Sequence, residues 1–418
     1  MKFSVRQKSR GTRFGVLNIE NHEIQTPCCS LYSRGGVVPH LTTDVLDSMG
    51  SVPSIFHLSL QTTIDQPGIE TINQSNYNGI KPFLGLEGFI TYLSIQDPGQ
   101  EVRQGYNEEK SVSVWTPGGR KKVDVNQFKA VLESFKPNMA ECLCDTIPAS
   151  GQTEKRIRKS VDRTLKFLDQ CIEEREKTKS LISCNLLGVI EGSSSETQRI
   201  RSAKETSQRP VPGFVLEGFN SSVYNWCSLL QKTLEFLPDD KPRLIHGIGS
   251  PEEVVLAVEC GVDIFDSSYP CQVAERGCAL DIKWSRKRFK PELTYLPSTS
   301  ERLEGELKNS EDSLNELSTS SHQKEIVGGG TSFEINLNHT RYSSDFTSLV
   351  SGCTCYCCTN HTRAYVHHLL VTKEMLSKVL LMIHNLYEYC QFFTGIRLSI
   401  EEDNFEEFKR NFTESHLL

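Results

Sequence analysis

Short apolar runs alternate with longer amphipathic segments, and this alternation constrains the fold of the chain more than any other feature of its sequence. A strand-like run at 139–143 precedes a segment in which apolar residues recur every three or four positions, as they do on one face of a helix that runs to about residue 175. Strand-like runs follow at 186–190, 213–216, 243–246 and 262–265. Repeated β/α units of this kind predict a parallel sheet or a barrel.

One strand-to-helix junction can be predicted residue by residue. After the run that ends near Gly247, Ser250 is placed to cap a helix, Pro251 to occupy its first turn, and Glu253 to complete a capping box. The turns at 217–219 and 266–268 also follow strand ends. In a (β/α)₈ barrel such turns line the functional face, so their residues are the candidates for chemistry.

A cysteine cluster near the C-terminus predicts a zinc site. The chain reads Cys353-Thr354-Cys355-Tyr356-Cys357-Cys358, and His384 follows 26 residues after Cys358 on a segment with helical periodicity. Thiolate and imidazole are the ligands that Zn²⁺ prefers, and a Cys-x-Cys-x-x-Cys loop can direct three sulfurs to one tetrahedral centre. His384 can supply the fourth ligand, with His361, His367 and His368 as alternatives. The reading without metal is a buried cysteine patch.

The predicted helix that carries His384 is a long one. Its apolar face is traced by Leu369, Thr372, Leu376, Val379, Ile383, Leu386 and Cys390.

Charge and cysteine usage exclude several classes of protein. The chain of 418 residues has a formal charge of −7, which argues against a general nucleic-acid-binding surface. No charge-free apolar run approaches the ~18 residues of a membrane-spanning helix, and residues 1–8 include no signal-peptide-like stretch. Fifteen scattered cysteines indicate reduced thiols in a cytosolic protein without disulfides. Basic runs at 120–122, 155–159 and 283–290 are interpreted as solvated faces.

Composition also suggests domain boundaries. Between about Ser298 and Gly330 the sequence changes to Ser, Glu, Lys and Asn, which predicts a disordered insertion at 298–332. We therefore expect an N-terminal β-sheet region at 1–60 leading into the barrel, the barrel at 61–297, and a zinc-binding subdomain with C-terminal helices at 333–418.

The cysteine segment also carries a family resemblance. Together with 363–369 and 383–386, it resembles the zinc subdomain of the tRNA-guanine transglycosylases, also called queuine tRNA-ribosyltransferases. The resemblance extends over nearly the whole chain. It implies a (β/α)₈ barrel with an N-terminal antiparallel sheet and one Zn²⁺ per chain, and its ligands would be Cys353, Cys355, Cys358 and His384, with Cys357 excluded.

The family exchanges a tRNA guanine for a modified base, with one Asp as nucleophile and a second as general acid/base. By resemblance, Asp266 in the segment 263–266 occupies the nucleophile position. Where active members read Asp-Ser-Gly-Gly-Phe-Gln, this chain has Gly85-Leu86-Glu87-Gly88-Phe89-Ile90, which places Gly85 at the acid/base position. The resemblance therefore implies that one of the two required carboxylates is missing.

The positions that read the base differ as well. The guanine-reading Asp corresponds to Cys144, a Gln to Glu191, and a Gly-Gly pair to Glu217-Gly218. Both arginines of a tRNA-facing segment are lost in the segment 271–275. A missing hydrogen-bond partner at such a site costs several powers of ten in discrimination. The losses fall on the reaction centre, whereas the scaffold signals remain.

This distribution is explained most simply by a paralogue kept for structure, partner binding and RNA positioning, with no catalytic residues of its own. The resemblance then implies a non-catalytic accessory subunit that forms a heterodimer with a catalytic homologue and helps the pair to act on position 34 of tRNAs with a GUN anticodon. By the same resemblance it is cytoplasmic and peripheral on the mitochondrial outer membrane. One alternative is an active transglycosylase in which Asp266 is the nucleophile and Glu87, Asp145 or Glu191 replaces the missing group. Another is a homodimeric protein that binds tRNA or queuine.

Overall fold

The computed structural model of the chain describes residues 1–50, 52–103, 106–219, 223, 225–284 and 332–416. The predicted insertion at 298–332 lies outside the described residues except for Ser332. In chain order the strands are β1 (Lys2–Ser9), β2 (Thr12–Ile19), β3 (His22–Thr26), β4 (Cys28–Tyr32), β5 (Ile55–Ser59), β6 (Ile90–Ser94), β7 (Ser111–Thr116), β8 (Gly119–Asp124), β9 (Met139–Glu141), β10 (Asn185–Ile190), β11 (Phe214–Leu216), β12 (Arg243–Ile245), β13 (Ile264–Asp266), β14 (Cys278–Leu280) and β15 (Glu334–Asn336).

The helices are α1 (Thr43–Ser48), α2 (Leu60–Thr63), α3 (Gly68–Gln74), α4 (Ile80–Phe83), α5 (Val125–Phe135), α6 (Glu154–Lys177), α7 (Glu196–Ser207), α8 (Trp226–Leu234), α9 (Pro251–Cys260), α10 (Ser268–Glu275), α11 (Tyr356–Asn360), α12 (Arg363–Val371), α13 (Leu376–Glu401) and α14 (Phe405–His416). Short 3₁₀ turns at 179–181 and 340–342 connect some of them.

Eight parallel strands close into a barrel in the order β4-β5-β6-β9-β10-β11-β12-β13, and β13 pairs with β4. Helices follow most of the strands, so the predicted (β/α)₈ barrel is confirmed. Short apolar strands such as β11 are buried along their whole length, because parallel barrel strands are covered by helices outside and by packed side chains inside.

The strand-to-helix junction at Ser250 has the predicted geometry. Its hydroxyl accepts from the Glu253 N–H, the Glu253 carboxylate accepts from the Ser250 N–H, and Pro251 is the first residue of α9. Such caps satisfy backbone donors that the first helical turn leaves free. The helix predicted after Thr153 is α6, which Thr153 caps at Arg156.

An antiparallel sheet of β1, β2 and β3 precedes the barrel, and the first barrel strand begins at Cys28. A buried ion pair ties this sheet to the barrel: Arg13 donates to the Asp263 carboxylate at 3.0 and 2.7 Å, and both side chains are fully buried. Asp263 also accepts from the Arg243 N–H at 2.8 Å. The first strands of the chain are thus joined to the amino ends of β12 and β13.

The prediction of one long helix through residues 369–390 is wrong, because α12 ends at Val371 and α13 begins at Leu376. Lys373 adopts a left-handed conformation, and the Glu374 N–H donates to the Leu369 carbonyl at 2.9 Å. This is a Schellman-type helix ending, which satisfies the last carbonyls of α12. The apolar periodicity continues across the break, and periodicity alone therefore conceals it.

Candidate metal centre and barrel mouth

The structure brings together the four residues predicted to bind metal. Cys353 lies in the loop before α11, Cys355 caps that helix, Cys358 lies within it, and His384 projects from α13. The Nδ1 atom of His384 lies 3.7, 3.4 and 3.3 Å from the sulfurs of Cys353, Cys355 and Cys358. All four ligand atoms lie within 4.8 Å of one another. The group can hold one metal ion.

The distances fit a tetrahedral ion with Zn–S near 2.3 Å and Zn–N near 2.0 Å, for which sulfur and nitrogen would be about 3.5 Å apart. His384 is fully buried, and its Nε2 atom lies 2.8 Å from the Leu280 carbonyl. That carbonyl fixes the proton on Nε2 and leaves Nδ1 free to bind metal, as partners of metal-binding histidines commonly do. Burial of His384 is therefore compatible with a ligand role.

The alternative histidines and Cys357 lie elsewhere. The His361 ring stacks on Tyr365 with centroids 5.1 Å apart, and His367 Nδ1 is hydrogen bonded to the Leu337 carbonyl at 2.8 Å. His368 is exposed, and Cys357 is buried but outside the group. Burial raises the pKa of the Cys357 thiol, which favours the neutral form.

Neighbouring residues tie the metal centre to the barrel. Next to His384, Asn385 accepts from the Leu280 N–H at 2.8 Å and donates to the Cys278 carbonyl at 3.1 Å. These bonds join α13 to β14, which follows the last barrel strand through α10. The position of the metal ligands thus depends on barrel packing.

We use the term barrel mouth for the carboxyl ends of the eight barrel strands. Asp266 is the last residue of β13 and is buried there. Its two carboxylate oxygens accept from the backbone N–H groups of Gly247 and Ser268, both at 2.9 Å. Two N–H donors hold this carboxylate and join the loops that follow β12 and β13.

Gly85 does not lie beside Asp266, and the sequence prediction needs correction here. Gly85 is exposed and precedes β6, so it lies towards the amino ends of the strands, whereas Asp266 is at the mouth. The end of β6 is formed by Ser94, and the buried Asp97 follows it and accepts from the Gly99 N–H at 2.9 Å. The family's acid/base position therefore corresponds to the end of β6. Motif similarity alone aligned that position with the wrong end of this strand. Glu87 is exposed on the same side as Gly85.

Four ionisable side chains fill the mouth at the ends of neighbouring strands, and sequence reasoning missed two of them, Glu141 and His246. His246 Nδ1 lies 2.5 Å from Glu217 Oε1, and its Nε2 lies 3.1 Å from the Tyr92 hydroxyl. Glu141 accepts from the Ile95 N–H at 3.0 Å. Glu191 is fully buried, and neither carboxylate oxygen has a hydrogen-bond partner among the described residues. Their position directly at strand ends was the available signal.

Burial and mutual repulsion shift the protonation of this cluster. Burial, followed by repulsion from Glu217, raises the pKa of Glu141 to about 7. Burial also raises the pKa of Glu191 well above its ordinary value. Burial alone would lower the pKa of His246, but attraction to Glu217 dominates and raises it to about 9. Near neutral pH His246 is thus protonated beside Glu217, and burial shifts Glu191 towards its neutral form.

The His246 shift predicts a pH dependence of stability. A histidine with a raised folded-state pKa contributes stability that is fully present below its unfolded value of 6.5 and is lost as the pH rises through about 9. We expect the melting temperature to fall between pH 6.5 and pH 9, and to fall less in His246→Gln. Thermal unfolding at the two pH values measures this. An equal fall in both proteins would contradict the assignment.

The remaining predicted site residues and basic runs are explained by burial, hydrogen bonds and ion pairs. Cys144 is buried and donates to Glu141 at 3.2 Å, and Asp145 is bound by Arg156 and Arg163. Cys271 is buried within α10. Lys122 and Lys159 of the predicted basic runs form ion pairs with Glu108 and Glu109. The positive charge of the runs at 120–122 and 155–159 is therefore partly neutralised.

The chain is similar in sequence to proteins of one known family. A sequence model of the family described as Queuine tRNA-ribosyltransferase matches residues 8–417. The chain belongs to this family. It is 39% identical over 408 residues to a Xenopus tropicalis protein, with 96% of each chain covered, and 39% identical over 418 residues to a Homo sapiens protein, with 98% of each covered. An Ixodes scapularis protein is 33% identical over 429 residues, covering 98% of this chain and all of the relative.

All three relatives carry the name Queuine tRNA-ribosyltransferase accessory subunit 2. The chain has the structural features that the resemblance implied: the barrel, the N-terminal sheet and a group of three cysteines and one histidine. Within the described ranges, none of the helices has the length and apolarity needed to cross a bilayer.

Proposed function

We propose that the chain is the non-catalytic subunit of a heterodimeric queuine tRNA-ribosyltransferase. It pairs with a catalytic homologue and helps to position tRNA while guanine is exchanged for queuine at wobble position 34 of tRNAs with GUN anticodons, those for Asp, Asn, His and Tyr. The names of its full-length relatives support the accessory role. We further propose a cytoplasmic location, with peripheral association at the mitochondrial outer membrane through a partner.

The state of the barrel mouth is the observation that carries the proposal. A nucleophilic carboxylate has to reach an anomeric carbon, and Asp266 is buried at the end of β13, where two backbone N–H groups fix its orientation. Beside it, the buried side chains of Glu141 and Glu191 and the Glu217–His246 ion pair occupy the region where a planar base would lie. Such a mouth is poorly suited to base exchange.

The test separates this proposal from an active enzyme. The chain, the catalytic homologue and the mixture are each incubated with a GUN tRNA and labelled guanine or queuine. We expect exchange from the mixture, none from this chain alone, and no change in the mixture when this chain carries Asp266→Asn. Exchange by this chain alone that disappears in Asp266→Asn would establish it as a transglycosylase.

Exposed apolar side chains on the segment from Phe346 to Met375, which also carries three of the metal ligands, suggest where the partner binds. Phe346 is 76% exposed, Val371 64% and Met375 86%. Tyr356 and Tyr365 are also exposed and both contact the ring of His361. Apolar side chains concentrated in one region commonly mark a protein interface. We propose that these residues form a pairing surface for the homologous subunit, as near-twofold association of related chains would require.

Met375→Asp should therefore prevent heterodimer formation, because a carboxylate would be buried at the interface without a partner. The matched control is Ile182→Asp, since Ile182 is 59% exposed and lies in the segment after α6, away from the metal centre in sequence. Light scattering of each variant mixed with the catalytic homologue gives the mass. Equal pairing by both variants would argue against this surface, and a persistent homodimer of the wild-type chain would favour the homodimeric alternative.

The metal is proposed to be one Zn²⁺ per chain with a structural role, held by Cys353, Cys355, Cys358 and His384. All four positions are taken by protein side chains, and four-coordinate sites of this composition leave no open position for a substrate. When bound, the ion would cross-link α11 and its preceding loop to α13.

A further inference from the structure

Two arginines and two aromatic rings form a continuous stack at the hairpin of β7 and β8. The guanidinium carbon of Arg120 lies 4.7 Å from the centroid of the Tyr106 ring, and that of Arg103 lies 5.4 Å from the Trp115 ring. The Tyr106 and Trp115 rings meet edge to face, with centroids 5.9 Å apart. Tyr106 is 64% exposed, and both arginines are exposed. We call this group the Arg–aromatic stack.

The exposed Tyr106 ring is held in place by a chain of hydrogen bonds. Tyr106 adopts a left-handed backbone conformation with φ of 70°, which a non-glycine residue adopts only when its surroundings enforce it. Its carbonyl accepts from the Ser113 hydroxyl at 2.7 Å, and Asn107 accepts from the Ser113 N–H at 2.7 Å. These bonds fix the backbone at Tyr106, and the contacts with Arg120 and Trp115 orient its exposed ring.

The same hydrogen bonds connect the stack to the barrel mouth. Asn107 donates to the Asp145 carboxylate at 2.6 Å. Asp145 follows β9 and is fully buried, and Arg156 and Arg163 hold it at 2.6 and 3.0 Å. The Arg–aromatic stack is thus anchored on the face of the barrel where family members carry out their chemistry.

The charges of the hairpin favour a polyanionic partner. The two lysines next to Arg120 are neutralised, Lys121 by Asp65 and Lys122 by Glu108. Arg103 and Arg120, in contrast, form no ion pair with an acid in the described part of the chain, and their planar groups lie over ring faces. Lys122 lowers the pKa of Glu108, and Arg120 only assists it. Their N–H edges remain able to bind phosphate oxygens.

We propose that the Arg–aromatic stack binds single-stranded RNA, with an unpaired base stacked on Tyr106 and neighbouring phosphates contacted by Arg103 and Arg120. Aromatic rings bind any unpaired base through its flat face, and arginines follow the backbone. An apolar protein surface suits the stack less well, because it would bury two guanidinium groups without counter-charge. The inference rests on the proposed function for the source of the strand, an unpaired segment of the tRNA.

Fluorescence anisotropy of the full-length chain with a labelled single-stranded RNA of about 12 nucleotides tests the proposal at low salt. We expect Tyr106→Ala to weaken binding about 10- to 100-fold through lost stacking, whereas Tyr106→Phe, which keeps the ring, binds as the wild type does. Arg120→Gln should weaken binding and reduce the slope of log affinity against log salt concentration by about one. The matched control is Tyr77→Ala, because Tyr77 is 55% exposed but precedes α4, outside the hairpin.

Three results would overturn the inference: no binding of the RNA by the wild type, equal affinities for wild type and Tyr106→Ala, or equal losses in Tyr106→Phe and Tyr106→Ala. Loss of pairing with the catalytic homologue in Tyr106→Ala, with RNA affinity unchanged, would identify the stack as a protein interface and would also overturn it. The proposed function fails by a different result, a wild-type chain that does not pair with the homologue. RNA binding that depends on Tyr106 in such a chain would still support the stack.

Discussion

Replacing His384 by alanine is expected to release the metal and unfold the metal-binding subdomain, from about residue 333 onward. The three remaining thiolates would be held close together without the fourth ligand, and the Leu280 carbonyl would lose its partner on Nε2. Structural zinc sites contribute about 10–16 kcal/mol of apparent binding free energy in small metal-dependent domains, so loss of one ligand removes a large share. Metal analysis after dialysis against a chelator, together with thermal unfolding, measures both effects.

His368→Ala is the matched control, since His368 lies on α12 near the same centre but is exposed. We expect it to retain about one equivalent of zinc, as is usual for a closed four-ligand site that keeps all of its ligands. Cys357→Ala should behave likewise. Full occupancy in His384→Ala, with loss in His368→Ala, would move the fourth ligand to the other histidine.

Asp263→Ala is expected to lower the free energy of unfolding by about 3–5 kcal/mol, the usual cost of removing one partner from a buried ion pair. Burial raises the pKa of Asp263 even though Arg13 and Arg243 lie beside it, so the carboxylate needs both cations to remain charged. Without it, the Arg13 guanidinium would be buried with Asp239, 3.4 Å away, as its remaining acidic partner. Urea unfolding followed by circular dichroism measures the difference.

Asp239→Ala provides the comparison for this ion pair, because Asp239 also contacts Arg13 but its side chain is 54% exposed. Asp239 also pairs with Lys8 and with the buried Arg243, but solvent reaches its carboxylate, so the loss should be smaller than in Asp263→Ala. If the two variants lost similar stability, the buried pair would not be what secures the N-terminal sheet to the barrel.

The sequence was most informative where one residue type has one local physical role. Ser250, Pro251 and Glu253 predict a capped helix start because the hydrogen bonds that they form lie within a single turn. The periodicity after Thr153 predicts α6 for the same reason, since it reflects one buried face of one helix. Cys353, Cys355 and Cys358 are close in the chain, so the sequence alone indicates that they can bind one metal ion together.

Features that depend on distant residues were not predictable in this way. The mouth cluster joins Glu141, Glu217 and His246, which are far apart in the chain and meet only because consecutive parallel strands end at one rim. Gly85 shows the complementary error, because a short glycine-containing motif does not fix the strand register. Only the pairing of β6 shows which end of the barrel Gly85 occupies. The break before α13 was hidden because both helices bury apolar residues on the same side.

The long helix α13 has a consequence for the order in which the chain folds during synthesis. It packs against β1, β2 and β4 and carries the metal ligand His384, and Gln7 donates to the Ile400 carbonyl across 393 residues of chain. The sheet of β1, β2 and β3 therefore stays uncovered on this side until α13 has emerged from the ribosome. Contacts so distant in sequence slow folding and leave apolar surface open to aggregation meanwhile. Chaperone binding during translation and the supply of zinc should therefore both limit how much of this subunit matures.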